Sequence, residues 1–205
     1  MKRSFLSSAA AAGLLVASAV TAQTANAADS IRVRGTIASI SDTALVVKTR
    51  DGTDQSITLK PDWKVSGVTK ASIEDIKPGD YVGIASLPKA QGGDGALEVL
   101  IFPAAMKGTG EGSYAWDLKP NSSMTNATVA DAVQSVEGRT VTVKFQGQEK
   151  KIDIPTATPV VTFAEATKAD LKPGATVFVP SEKAADGTVS TARIVVGTNG
   201  VVPPM

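Results

Sequence analysis

This 205-residue chain contains no His and no Cys, so carboxylates, hydroxyls, amines and aromatic rings are the only side chains left to do chemistry. The absence removes imidazole general bases, Ser-His-Asp triads and thiol nucleophiles. It also removes zinc sites of the Cys/His type, soft copper sites and the common ligations of haem and iron–sulfur clusters. Met106, Met124 and Met205 are too scattered for a methionine-rich copper site. The densest grouping of useful side chains is Glu111, Tyr114, Trp116 and Asp117. These four have two readings. Trp116 can pin its segment to a neighbouring core, the commoner use of a large aromatic. With Tyr114 it can instead form a platform for a sugar or a peptide, and the four become a candidate site if they line an open cleft between barrels. Trp63 adds a fifth ligand-binding candidate with the same two readings, core or ligand face. No catalytic, cofactor-binding or metal-ligating residue is assigned.

Other patterns carry less. Asp51 and Asp54 lie on a hairpin, where a hard cation such as Ca²⁺ takes oxygen ligands, but no Asp-x-Asp-x-Asp-Gly loop is present. A glycosidase needs two carboxyls at a fixed separation, which spacing in a sequence does not reveal. Ser86-Leu87-Pro88-Lys89 matches the Ser-x-x-Lys of serine acyl-transferases. That motif works on a helix, whereas here it ends a strand and contains Pro. Gly108 to Gly112 is glycine-rich but lacks the Lys-Ser/Thr of a phosphate loop.

The elements that must position these residues come from a duplication. One copy runs from about Ile31 to Pro103 and the other from about Asn126 to Val196. Leu45-Val46-Val47-Lys48 parallels Val141-Thr142-Val143-Lys144, and Ile57-Thr58-Leu59 parallels Ile152-Asp153-Ile154. The clearest match is Asp75-Ile76-Lys77-Pro78-Gly79 against Asp170-Leu171-Lys172-Pro173-Gly174, at an offset of 95. Matching Asp94-Gly95 to Asp186-Gly187 lowers the offset to 92 at the final hairpin. Each copy reads as about five short strands separated by glycine turns, with one helical turn before Lys-Pro-Gly. Pro at the second and Gly at the third turn position give a type II turn. Asp75 and Asp170 are therefore read as structural.

The expected fold is all-β: two tandem small OB-like or SH3-like β-barrels, each with one short helical turn. The expected layout is a leader over 1–27, a first barrel repeat over 28–103, an ordered connector over 104–125 and a second barrel repeat over 126–205. Lys2 and Arg3, the uncharged apolar stretch Phe5 to Val20, and Ala25-Asn26-Ala27 have the layout of a cleavable secretory signal peptide, with cleavage before Ala28. The product is expected in the periplasm, with no membrane span. Loss of Lys2 and Arg3 turns the 21 basic and 20 acidic residues into 19 against 20. That balance gives no electrostatic case for nucleic acid or anionic membranes.

Thr36-Ile37 and Thr128-Val129, the Asp-Ile/Leu-Lys-Pro-Gly-x-x-Val of each copy, and Met106 to Gly112 with Trp116-Asp117-Leu118 carry a resemblance. The chain resembles an uncharacterised family of bacterial exported proteins with tandem small β-barrel domains. Members often place a His where this chain has Ser113. Some are described as metal transporter permeases, a mechanism that a chain without later membrane spans does not support. The reading of first choice is a non-catalytic periplasmic binding or envelope-associated protein, with a glycan, a peptide or an envelope protein as partner. Two alternatives stand beside it: an accessory protein in metal-ion handling through oxygen ligands, and a carboxylate-based hydrolase.

Overall fold

The computed structural model describes residues 28–135 and 138–204; the leader over 1–27 lies outside them. Alternation of apolar and polar residues builds the strands, as period-2 side-chain placement requires. Leu45 and Val47 point inward on β2 (Ala44–Thr49), and Val141, Val143 and Phe145 do so on β8 (Gly138–Phe145). The remaining strands are β1 (Asp29–Ile40), β3 (Asp54–Lys70), β4 (Tyr81–Pro88), β5 (Asp94–Phe102), β6 (Gly112–Ala115), β7 (Ser123–Ser135), β9 (Gln148–Pro155), β10 (Val160–Ala164), β11 (Thr176–Lys183) and β12 (Val189–Gly197).

Two five-stranded rings result. In the first, β1 pairs with β2 and β2 with β3. β3 runs parallel to β12, β12 pairs with β11, and β11 closes on β1. In the second, β7, β8, β9, β5 and β4 follow the same order, closed by a parallel β5–β9 pairing and an antiparallel β4–β7 pairing. The all-β class with small OB-like barrels is thus the observed one. The short β10 lies between β3 and β5 and joins both rings into one sheet.

The rings cut across the sequence repeats. The second barrel uses β4 to β9, a continuous stretch, and sits inside the first, which takes β1–β3 from one end of the chain and β11–β12 from the other. Ranges 28–103 and 126–205 remain duplicated sequences, but each gives its last two strands to the other's barrel. The length of β3 explains this. It runs on past Trp63 to Lys70, along β12 and β10, and carries the chain across before Lys-Pro-Gly turns it into β4. At the centre Val68 is the register partner of Phe163.

The offset of 92 at the last hairpin is corrected by the pairing. Lys89 N–H donates to Gly93 O as Ala184 N–H donates to Thr188 O, so the offset stays at 95. Gly92 (φ 89°) is the counterpart of Gly187 (φ 86°), because the turn demands positive φ there. Asp94, matched by its letter alone, is instead a strand residue.

Each barrel has its own apolar core, and each core is plugged from one end by the residue after a 3-10 turn. Ile76 plugs the second barrel and Leu171 the first. The repeated aspartates cap these turns. Ser72 N–H donates to Asp75 at 2.8 Å and Thr167 N–H to Asp170 at 2.7 Å, each closing a capping box. The Lys77–Asp80 turn closes through Asp80 N–H to Lys77 O, with Gly79 at φ 95°, as the Pro-Gly pair requires. A third apolar cluster, Val68, Leu100, Val161, Phe178 and Val195, fills the junction between the barrels.

Candidate functional site

The connector residues are fixed by internal contacts. Glu111 accepts from Gln146 N–H at 2.8 Å, which holds the β8–β9 turn. Tyr114 Oη accepts from Asn126 Nδ2 at 3.0 Å, and its ring meets Trp116 edge-on at 6.1 Å. Trp116 lies against the junction cluster, with the Arg32 guanidinium 3.9 Å from its ring centre. Asp117 takes a 2.8 Å hydrogen bond from Arg34 and a second ion pair from Arg32. Partial burial raises the Asp117 carboxyl, but the Arg34 hydrogen bond and the two guanidinium charges outweigh this and hold it below its ordinary value. The connector is thus bolted to the second barrel by Glu111 and Tyr114 and to the first by Trp116 and Asp117. Trp63 is buried in the first core, with Lys168 Nζ 4.4 Å from its ring centre. The four connector residues come together as a brace rather than as the walls of a cleft, while Asp117 also borders a shallow groove of about 440 Å³ beside Arg32 and Arg50.

A concavity between the barrels measures about 830 Å³. That is within the usual range for small-ligand sites. Leu97 and Glu98 of β5 and Val160 and Val161 of β10 line it. Lys70 and the first 3-10 turn contribute further lining, as do Leu118, Lys119 and the tail from Val201 to Pro204. Arg50 reaches it from the β2–β3 turn. Arg50, Lys70 and Lys119 are exposed and make no ion pair among the described residues. Glu74 also lines the cleft; the Ser72 hydroxyl donates to it and holds its carboxyl below the usual range. Val202 presents an apolar side chain that is 57% exposed.

The second barrel also carries an inward-facing polar network. Asp94 pairs with Lys150 at 2.6 Å and accepts from the Ser86 hydroxyl at 2.8 Å. Lys150 in turn donates to Ser123 at 3.2 Å. An ammonium held by a carboxylate donates to Ser123 rather than taking its proton, so this is not an activated nucleophile. Ser86 is thus tied to Asp94 and not to Lys89 of its Ser-x-x-Lys motif. Among the described residues no three Asp or Glu side chains gather where they could hold a metal ion. None of the described helices is long and apolar enough to cross a membrane.

Sequence reading missed the cleft because its lining comes from six separated stretches that only the exchanged topology assembles. No family model, curated protein or solved structure matches the chain.

Proposed function

We propose that the chain is an exported, periplasmic binding protein without catalytic activity, and that it holds its ligand in the cleft between the two barrels. The observation that carries this reading is the pairing of an apolar lining with three cations that have no ion-pair partner among the described residues, Arg50, Lys70 and Lys119. Apolar surface supplies affinity and a few charged groups supply orientation. The ligand that fits is a peptide segment with apolar side chains and a carboxylate. The cleft draws on both barrels, so the ligand also ties them together. Calorimetric titration of the mature chain with short acidic peptides rich in Leu, Val and Pro tests this. Binding is expected, weakened at least tenfold by Lys70→Glu with Lys119→Glu. Absence of heat and of any melting shift across such a peptide set sinks the reading.

A further inference from the structure

The duplication supplies an internal control, since the two barrels share one strand order and register and differ position by position. On the outer face of the β8–β9 hairpin, beneath the β4–β5 turn, a pocket of about 400 Å³ is lined by Lys89, Gly95, Arg139, Thr140 and Asp153. Their counterparts in the first barrel are Ala184, Ser190, Thr43, Ala44 and Thr58. The second barrel therefore sets three charged groups where its twin has none. The pocket is organised around one carboxylate. Asp153 accepts from Lys89 on one oxygen, and from the Thr140 hydroxyl at 2.7 Å on the other. These bonds hold its carboxyl below the ordinary value, the Lys89 hydrogen bond contributing most. The Lys89 stem lies over β5 at Gly95, with Cγ and Cδ 3.6 Å from where a Cβ would stand, an ordinary packing distance. Arg139 is anchored from behind by donating to Ile76 O and, at 2.8 Å, to Gln134.

We propose that this face of the second barrel, and not its twin on the first, is a binding site for a hydroxyl-rich ligand, the end of a glycan chain. Neighbouring hydroxyls of a sugar give a hydrogen bond to Asp153 and take one from Lys89, while Thr140 does either. The strand 2–3 face beside the 4–5 loop is also where OB-type barrels take oligosaccharides and oligonucleotides. The central carboxylate disfavours a phosphate backbone, and among the described residues no aromatic lines the pocket for base stacking. The site is separate from the inter-barrel cleft and stands or falls independently of it.

Amide chemical-shift titration of the ¹⁵N-labelled mature chain tests it, with chitotriose, maltotriose, a trigalacturonate and an oligothymidine as probes. At least one saccharide is expected to move the amides of Lys89, Gly95, Thr140 and Asp153, and not those of Ala44, Thr58 and Ala184. Asp153→Asn and Lys89→Ala are each expected to weaken that response at least fivefold while leaving the rest of the spectrum in place. Three results overturn the proposal. The saccharides leave these amides unmoved; the oligothymidine moves them and the saccharides do not; or the first barrel's face responds equally. Shifts confined to Leu97 and Val160 report the cleft and count against this site.

Discussion

Val68 lies directly across the β3–β10 pairing from Phe163, and the two are the same position of the two repeats, 95 residues apart. A residue facing its own duplicate marks a local two-fold axis, as in an isologous interface between two identical subunits. Around that axis the repeats trade their last two strands, and the inner barrel becomes a continuous segment. A fragment spanning 71–159 holds all the strands of the second ring, whereas 28–103 holds three strands of one ring and two of the other. The first fragment is expected to give a dispersed, monomeric NMR spectrum. The second is expected to aggregate or to pair with itself. A folded monomer from 28–103 contradicts the strand exchange.

The brace between barrels is expected to be worth more than a surface contact. Trp116 combines contact with the junction cluster and a cation–π contact to Arg32. Trp116→Ala is expected to cost about 3 kcal/mol in denaturant unfolding, at the low end for aromatic truncations because the ring is only partly buried. Asp117→Asn removes one exposed charge of the same brace and is expected to cost at most about 1 kcal/mol.

The same aspartate sets a pH dependence. Its folded carboxyl ionises below the unfolded value, so its contribution is present above about pH 4 and is lost as pH falls through the folded value. Wild type is therefore expected to lose more stability than Asp117→Asn between pH 5 and pH 2. Parallel curves in urea titrations at stepped pH contradict this.

Tyrosine absorbance gives an independent check at the alkaline end, because Tyr81 and Tyr114 are the two tyrosines of the chain. Tyr81 is pushed up to about 12 by burial and, to a smaller degree, by Glu111; its hydroxyl donates to Thr109 O at 3.1 Å. Tyr114 is raised too, mainly by burial. A spectrophotometric titration is expected to show both ionising above about 10, with one step near 12 that disappears in Tyr81→Phe. The raised value means that stability contributed by Tyr81 is full below about pH 10 and falls as pH rises toward 12.

Gly197 controls the tail that walls the cleft. A Cβ on it would lie 1.6 Å from Val201 O, the atom that accepts from the Thr176 hydroxyl at 3.0 Å. Gly197→Ala is expected to cost about 1–3 kcal/mol, as overpacking does. It is also expected to raise hydrogen exchange over 198–204 while the second barrel's amides stay protected. Unchanged exchange in the tail contradicts its docking.

Much of the fold was legible because its signals are local. Alternating residues build the strands, Lys-Pro-Gly builds the turns, and Asp75 and Asp170, expected only to be structural, close capping boxes. Strand exchange was not legible, since inward-facing Val82 and Ile84 would close either barrel equally well by composition. The decision rests on the reach of β3 beyond Trp63, where Asp62 at φ 56° keeps the strand running through a kink. In the second repeat the same stretch contains Pro155 and Pro159 and breaks into β9 and β10. Tyr114, Trp116 and their two carboxylate neighbours stand out by residue type, yet type does not report which ring a guanidinium will cover. The Lys89–Asp153 contrast follows from keeping the offset at 95 from Ile57 and Ile152 through the last hairpin, which the mismatched Asp-Gly pairs hid.

The insertion of one barrel inside the other also fixes an order in time. A chain threaded out N-terminus first delivers β1, β2 and β3 long before β11 and β12, so these early strands wait with open edges. The inner barrel, whose strands arrive in one run, is complete while the outer one still lacks its closing pair. Non-local pairings of this kind form late and slowly, and unpaired edges invite association with other chains. The edges of β1 and β3 are therefore open to association over the interval between the emergence of Lys70 and that of Gly197.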